Sequence, residues 1–416
     1  MIRRLQIQGF KTATDVTLEL GQLNVLIGAN GAGKSNLLEA LGALSCAAEG
    51  RVDQRTLQAR GVRLGTPVLY RSALRAQKRL VEKITLEAET DGARYRVSLG
   101  NPATRGKSAW RYVSEELAER GEPVGRRSAR GAHVFPRASG RRGAGAQPQK
   151  QPVEPGPRDG LGPIVRSVHG RGPLAELLEH LGGFAIYAPC TPMLRGQVAD
   201  PAPPEPLGLL GGGLADCLFD LRETPQVYER ARDEAFSLID WATDVRFDAS
   251  TGWAAAPPGV QPPSRLSLSL RDRHLIDDIG WISAREANEG ALYVLFVFLL
   301  LLHPDAPRVL AIDGVDHSLN PWLIGGLIRR MQQIVLGERD RPQLLLTTQN
   351  PVVLDALDLR DDRVRLFTVT RTRSGATEVS RVEHDEALDR AEEKWMPLSY
   401  LWTSGSLGGM GGVPGL

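Results

Sequence analysis

The chain has 416 residues, of which 42% are hydrophobic, and its formal net charge is +2. This length allows one large or two ordinary domains, and the near-neutral charge gives no general reason to expect a nucleic-acid partner. The three widely spaced cysteines form no metal-binding or disulfide pattern, no segment resembles a signal peptide, and the longest apolar run, residues 291–302, is too short to span a bilayer. We therefore expect a cytoplasmic protein without a membrane partner.

The first hundred residues predict strands on both sides of one helix. Apolar and polar residues alternate over residues 5–7 and 16–20, which predicts two strands ahead of an apolar strand at 23–27. A helix follows from about Lys34. Alternation on both sides of Asp91-Gly92 predicts a hairpin, because this dipeptide favours a tight turn, and the hairpin indicates an antiparallel subsheet.

The most informative stretch, GANGAGKS from Gly28 to Ser35, lies between that apolar strand and the helix. It fits the pattern G-x-x-x-x-G-K-[ST], whose backbone N–H groups and helix N-terminus bind phosphate oxygens. Lys34 would reach the β- and γ-phosphates and Ser35 would ligate Mg²⁺. The alternative is a glycine-rich turn that only caps a helix. The predicted nucleotide-binding residues of this loop are Gly28, Ala29, Asn30, Gly31, Ala32, Gly33, Lys34, Ser35 and Asn36.

The middle of the chain changes in composition. From about Arg120 to Pro163 it is rich in Arg, Gly and Pro and has no apolar period, which predicts a disordered surface insertion. An arginine-rich arm that contacts nucleic-acid phosphates is the open alternative. Helices are expected near residues 174–181 and 227–239, the second between two proline-rich breaks.

Regular structure is predicted again from residue 266. A buried helix precedes an apolar strand whose end carries Asp313, the best candidate for positioning Mg²⁺ through water. An aspartate that caps a turn is the alternative. The predicted elements are a strand at 266–270, a helix at 289–302, a strand at 308–312, a helix at 322–336, a strand at 344–347, a hairpin over 364–382 and a helix at 383–395.

Three segments together resemble the SMC- and RecF-type ATPases of the ABC class. They are IQGFKTATDVTLELGQLNVLIGANGAGKSN, ANEGALYVLFVFLLLLHPDAPRVLAIDGVDHSLNP and LLLTTQNPVVLDAL, in the order of that family's phosphate loop, signature with Walker B strand, and switch strand. The likeness covers roughly the first 100 and last 150 residues, and is nearest to the short OLD-like "AAA family ATPases" of bacterial defence and DNA maintenance.

The resemblance implies an α/β fold, a P-loop NTPase of the ABC/SMC head type with a mixed sheet, an antiparallel subsheet and a helical, partly disordered insertion. We divide the chain into the N-terminal half of the head at 1–105, the insertion at 106–264 with its disordered segment near 120–163, the C-terminal half of the head at 265–400 and a flexible Gly-rich tail at 401–416.

In this family two heads enclose two ATP molecules, and the signature of one head meets the γ-phosphate bound by the other. Here the resemblance assigns that role to Asn288, Glu289 and Gly290. Asn288 is a favoured N-cap for the helix that starts at Glu289, and Gly290 permits close approach of backbone. An ordinary helix cap is the alternative.

Two residues depart from the family. Where the family has a glutamate that polarises the attacking water, this chain has Gly314, and Asp316 is the nearest carboxylate that can substitute. Where the family has a histidine that contacts the γ-phosphate, this chain has Gln349, which donates a hydrogen bond but carries no charge. We therefore assign Lys34, Asp313, Asp316 and Gln349 to catalysis and expect tight ATP binding with slow hydrolysis.

The function that follows is an ATP-gated, dimerising ATPase that uses Mg²⁺ and acts with DNA or a separate effector in phage defence or DNA maintenance. Only about 60 residues follow the switch strand, too few for an ordinary domain, so a nuclease would be a separate chain. The helix at 383–395 is a candidate dock for it, or a helix packed on the core. The alternatives are a transporter-type ABC subunit, a nucleotide-binding scaffold without significant hydrolysis, and a small-molecule P-loop kinase.

Overall fold

The computed structural model describes residues 1–77, 80–100, 110–136, 150–201, 206–249, 264–338, 341–393 and 395–407. Its described residues form three sheets and two hydrophobic cores. The mixed α/β architecture expected from the sequence is confirmed, including the antiparallel subsheet beside a largely parallel one.

The largest sheet has eight antiparallel strands in the order β2-β1-β4-β5-β6-β7-β8-β9. The hairpin predicted at Asp91-Gly92 is confirmed as the connection between β4 and β5. The strands of this sheet are β1 (Arg4–Phe10), β2 (Ala13–Glu19), β4 (Lys83–Glu89), β5 (Ala93–Gly100), β6 (Arg111–Glu119), β7 (Glu122–Ser128), β8 (Gly131–Val134) and β9 (Gln151–Val153).

The prediction of disorder near 120–163 is wrong for the part of this segment that the structure describes. Strands β7, β8 and β9 fall within it and extend the antiparallel sheet, so the proposed insertion begins as sheet rather than as helix. Arg127 is buried there against Glu115, which gives the segment a polar core that composition does not reveal. Residues 137–149 lie outside the described residues.

The second sheet positions the candidate site. Its order is β10-β14-β15-β3-β16-β17, and every pair is parallel except β16 with β17. The carboxyl ends of β14, β15 and β3 therefore lie side by side, as ligand sites in parallel sheets require. Its strands are β3 (Leu23–Ile27), β10 (Ala185–Tyr187), β14 (Val309–Ile312), β15 (Gln343–Thr348), β16 (Val364–Arg371) and β17 (Thr377–Val382).

Helices cover both faces of this second sheet. Side chains of β14 alternate between the cores: Val309 and Ala311 face the core shared with the antiparallel sheet, Leu310 and Ile312 the core formed with α8. The helices are α1 (Lys34–Ala48), α2 (Gln54–Ala59), α3 (Gly162–His169), α4 (Pro173–Gly182), α5 (Thr191–Leu194), α6 (Leu214–Asp220), α7 (Pro225–Phe236), α8 (Glu289–Leu302), α9 (Pro321–Gly337), α10 (Glu386–Glu393) and α11 (Leu398–Thr403).

Two further differences from the sequence prediction concern the edges of the molecule. A small antiparallel sheet of β11 (Ala242–Ala249), β12 (Leu266–Asp272) and β13 (Trp281–Ser283) packs against the core around α8, where only β12 was expected. The tail expected to be flexible from 401 begins as helix α11, with Trp402 buried; residues 408–416 lie outside the described residues. Among the described helices, none combines the length and apolar character needed to cross a bilayer.

Candidate functional site

The loop between β3 and α1 is shaped by close contacts that exclude side chains. A Cβ at Gly28 would lie 2.2 Å from the carbonyl oxygen of Val369, and a Cβ at Gly33 would lie 2.1 Å from Oγ1 of Thr377. Gly31 and Gly33 also have φ values of +76° and +114°, which glycine adopts readily. The loop thus needs glycine both for space and for conformation, while Asn30 and Gly31 remain exposed at its tip.

Lys34 is the first residue of α1 and lies over the loop that precedes it. Its Nζ donates hydrogen bonds to the carbonyl oxygens of Gly28 at 2.7 Å and Ala29 at 3.1 Å. Burial lowers the pKa of Lys34 from its ordinary value, and the carboxylates of Asp313 and Asp316 oppose that shift. The ammonium group therefore lies where the anionic oxygens of a phosphate bound by the loop would replace the neutral carbonyl oxygens as its hydrogen-bond partners.

Asp313 and Ser35 meet across the sheet although 278 residues separate them. Oγ of Ser35 donates to Oδ1 of Asp313 at 3.1 Å, and Oγ1 of Thr347 donates to the same oxygen at 2.6 Å. Thr347 in turn accepts from the backbone N–H of Gly314 at 2.8 Å. This hydroxyl–carboxylate pair is the oxygen set that Mg²⁺ prefers, so the residues present fit a metal ion held with a triphosphate.

Asp316 and Gln349 lie beside the phosphate loop and Asp313. Together with the loop they border an open cavity of about 530 Å³, large enough for the phosphates of a nucleotide. Two arginines that the sequence did not indicate, Arg63 and Arg371, also border it. The described lining residues are Thr12, Asn30, Gly31, Gly33, Lys34, Ser35, Asn36, Arg63, Asp313, Gly314, Asp316, Thr347, Thr348, Gln349 and Arg371.

Gly314 has a conformation that bears on its missing side chain. Its φ is +78°, in the left-handed region, and a Cβ there would meet no heavy atom of the described residues within 4 Å. Space for a glutamate therefore exists, but a non-glycine residue would be strained by about 1 kcal/mol or more. The chain has glycine here for its backbone, and a Glu at this position would not simply restore the family's geometry.

Three polar side chains, of which sequence reasoning identified only Asn36, hold the loop against the β16–β17 hairpin. Oγ1 of Thr377 donates to the carbonyl of Ala32 at 3.0 Å and lies 2.7 Å from Oγ1 of Thr12. Nδ2 of Asn36 donates to Thr12 at 2.7 Å. Thr12 lies at the turn between β1 and β2, so three distant segments of chain fix the loop's shape.

Replacing Thr377 with valine tests this contact. The hydroxyl's hydrogen bond to the Ala32 carbonyl of the loop is lost while the volume is kept, so ATP affinity should fall by about three- to tenfold, the worth of one hydrogen bond. Isothermal titration of Thr377→Val against Thr370→Val, a variant on the adjoining strand, measures this. Equal affinities in the two variants would show that Thr377 does not support the loop.

The predicted signature residues lie elsewhere. Asn288 caps α8 by accepting a hydrogen bond from the backbone N–H of Gly290 at 2.8 Å. The Glu289 carboxylate accepts a hydrogen bond from Thr191, and hydrogen bonds from Ser318 and Thr191 hold the pKa of Glu289 below its ordinary value. These three residues are not among the described residues that line the cavity. Within one chain, therefore, the α8 tip is a capped helix end apart from the phosphate loop, with Asn288 exposed and Gly290 buried.

A second cavity of about 440 Å³ adjoins the first, and Thr12 and Arg63 border both. Its surface is mainly apolar, with Leu64, Leu69 and Tyr70 on it. Glu39, buried on α1, forms ion pairs with both Lys11, which borders the second cavity, and Arg63, which borders both. The arrangement suits a ligand with charged groups at one end and a flat apolar group at the other.

Comparison with known proteins identifies a family and a fold. The model of a family described as "AAA domain, putative AbiEii toxin, Type IV TA system" matches residues 23–154 and 221–355, more than half of the chain. A search of curated proteins found no match. Among solved structures, a chain of the Smc head bound to the C-winged helix domain of ScpA is 12% identical with a TM-score of 0.55, over 93% of this chain and 99% of that one.

Two further head structures match with lower TM-scores. An SMC head domain from Thermotoga maritima is 14% identical with a TM-score of 0.43, over 92% of this chain and 99% of that one. An Smc head with an extended coiled coil, bound to the C-terminal domain of ScpA derived from Pyrococcus furiosus, is 11% identical with a TM-score of 0.47, over 95% and 99%. At these identities the likeness concerns the fold alone.

Proposed function

This chain belongs to the AAA_21 family of ATPase domains, and we propose that it is an ATP-gated switch that binds Mg-ATP, pairs with a second copy and hydrolyses ATP slowly. The observation that supports this most directly is the contact of Ser35 with Asp313 beside Lys34, because the predicted phosphate and metal ligands from two distant segments converge there. DNA and a separate effector protein are the partners we propose for the switch.

The cavities support a specific mode of ATP binding. Backbone N–H groups of the loop and the Lys34 ammonium would bind the β- and γ-phosphates, with Arg63 and Arg371 as further cations at the rim. The base and ribose would lie against Leu69 and Tyr70 in the adjoining apolar cavity. When bound between Ser35 and Asp313, Mg²⁺ would neutralise charge on the phosphate oxygens.

Pairing would complete the site. In a two-fold dimer, each copy would bring its α8 tip to the partner's phosphates, where the positive end of the α8 dipole favours an anion. Because the tip contacts phosphate only when the loop is loaded, ATP would shift the population from monomer to dimer. Light scattering with and without ATP tests this directly. A wild type that binds ATP yet stays monomeric would contradict the pairing.

Hydrolysis in this proposal depends on Asp316, since Gly314 offers no carboxylate. Asp316 borders the cavity and acts electrostatically on Lys34, so it can orient or deprotonate water. We expect Asp316→Asn to reduce phosphate release by about 10²-fold or more while ATP affinity stays nearly unchanged. Asp305→Asn, at a highly exposed aspartate, is the matched control. If wild type turns over quickly and Asp316→Asn has no effect, the assignment is wrong.

The proposal for DNA rests on family likeness rather than on a basic surface. On the outer side of the antiparallel sheet, arginines are matched by carboxylates: Arg96 lies 3.0 Å from Glu87, and Arg126 lies 3.5 Å from Glu116. Such pairing reduces the potential that would attract phosphates. Adding duplex DNA to the ATP-loaded protein in the sizing experiment, at two salt concentrations, distinguishes an electrostatic DNA contact from none.

A further inference from the structure

A large apolar side chain stands almost fully exposed next to the α8 tip. Trp322, the second residue of α9, is 90% exposed, whereas Trp110 and Trp402 are buried. Exposing an indole to water is unfavourable relative to burying it. Tryptophan is also among the residues that most often dominate binding at protein interfaces.

Trp322 is held on a rigid element beside the tip. Oδ1 of Asn320 accepts a hydrogen bond from the backbone N–H of Leu323 at 3.0 Å and so caps α9, a helix of 17 residues. Leu323 approaches Gly290 so closely that a Cβ at Gly290 would lie 3.4 Å from it. The start of α9 and the α8 tip therefore form one continuous surface.

A matching apolar group lies at the other half of the proposed pairing. Leu64 and Leu69, at the rim of the apolar cavity beside the phosphate loop, are 45% and 62% exposed. In a two-fold dimer the tip of one copy meets the cavity of its partner, and the reverse contact forms at the same time. Residues next to the tip then meet residues at the partner's cavity rim, which brings apolar surface to apolar surface.

From this we propose that Trp322 of each copy docks against the Leu64–Leu69 rim of a second copy and anchors the ATP-loaded dimer. This anchor depends on the ATP-dependent pairing proposed above. An apolar contact beside the nucleotide, as well as the phosphate contacts, would then stabilise the dimer. The ATP-free monomer would leave Trp322 in water.

Sizing by light scattering over a range of protein concentrations, with saturating ATP, tests the anchor. Trp322→Ala should raise the concentration for half-dimerisation by about tenfold or more, and Leu64→Glu should act alike. Binding of a fluorescent ATP analogue to dilute Trp322→Ala monomer should not change. The control is Trp395→Ala, which removes a tryptophan that is 94% exposed between α10 and α11. Equal dimerisation of Trp322→Ala and wild type, or equal losses in Trp395→Ala, would overturn the anchor.

Cross-linking identifies the partner of Trp322. A 1:1 mixture of Trp322→Cys and Leu64→Cys, treated with a short bismaleimide, should form a covalent dimer only with ATP, and neither variant should do so alone. If Trp322→Cys links to itself, the tryptophan faces its twin across the axis and the rim contact is wrong. If the wild-type protein binds ATP but does not dimerise, the pairing step itself is wrong. If the wild-type protein and Trp322→Ala both dimerise normally, the pairing stands and only the anchor is wrong.

Discussion

Replacing Lys34 with alanine is expected to lower ATP affinity by at least about 100-fold. A charge-assisted contact with phosphates in a partly buried site is worth about 3 kcal/mol, and 1.4 kcal/mol corresponds to a factor of ten. Lys34 is 8% exposed and already turned onto the phosphate loop, so little reorganisation precedes its contact with the ligand. Isothermal titration with ATP, in the presence of Mg²⁺, measures the loss.

The control for this variant is Lys83→Ala, which removes an exposed lysine from β4 without touching the loop. The fold of Lys34→Ala should persist, because the loop is also fixed by Thr377 and by the close approach of Val369 to Gly28. Wild-type ATP affinity in a folded Lys34→Ala protein would contradict the assignment of the phosphate loop. Loss of ATP binding with loss of fold would instead indicate that the lysine's bonds to Gly28 and Ala29 are structural.

The parts of the site that could be predicted from the sequence are those with local signals. The glycine and lysine spacing of 28–35, between an apolar strand and a helix, predicts a phosphate-binding loop because backbone geometry there depends on neighbouring residues. Asp313 could be predicted because it ends an apolar strand. The structure brings Asp313 and Ser35 to 3.1 Å, and parallel pairing of β3, β15 and β14 explains why.

The contacts that sequence reasoning missed join residues that are far apart in the chain. Thr377 reaches Ala32 across 345 residues, and nothing in either segment indicates the other. Strand β10 has only three residues, below the length at which an apolar run indicates a strand. At Gly314 the sequence indicates a missing side chain, but only the structure reveals the left-handed φ of +78° that makes glycine suitable.

The arginine-rich segment is where the prediction from amino-acid composition differs most from the structure. Low apolar content predicts disorder because that criterion treats every arginine as a charge that stays in water. Arg127 is instead 7% exposed, and its guanidinium lies 3.4 Å from Glu115, which is fully buried. The same guanidinium donates to the carbonyl oxygens of Gly156 and Asp159 at 3.3 and 2.6 Å. An arginine with these partners orders the segment rather than extending it into water.

Arg127→Met is accordingly expected to destabilise the fold by about 3–5 kcal/mol at pH 8, the usual loss when a buried ion pair loses one partner. The variant keeps much of the side-chain volume but leaves the Glu115 carboxylate without its cation. Arg126→Met is the matched control: it lies on the same strand with 65% of its side chain exposed and should cost less than about 0.5 kcal/mol. Urea unfolding of both variants measures the difference.

The pH dependence separates the ion pair from the packing. Burial raises the pKa of Glu115 to about 7, while a hydrogen bond from the Leu161 N–H and the charge of Arg127 act to lower it. Because this folded pKa lies above the ordinary value of 4.5, the native state holds the proton more tightly than the unfolded chain, and this contribution to stability is lost as pH rises from about 4.5 to about 7. Glu115→Gln should lack that decline.

Without Arg127 the pKa of Glu115 rises further, since a cation that favoured the carboxylate is gone. Glu115 of the variant should then stay protonated well above pH 7. The free energy of unfolding of the variant should continue to decline at pH values at which that of the wild-type protein no longer changes. The destabilisation by Arg127→Met should therefore shrink to about 2 kcal/mol at pH 5, where only the hydrogen bonds to Gly156 and Asp159 are missing. A loss that is the same at pH 5 and pH 8 would mean that Arg127 orders the segment through those carbonyls alone, and that its charge is irrelevant to Glu115.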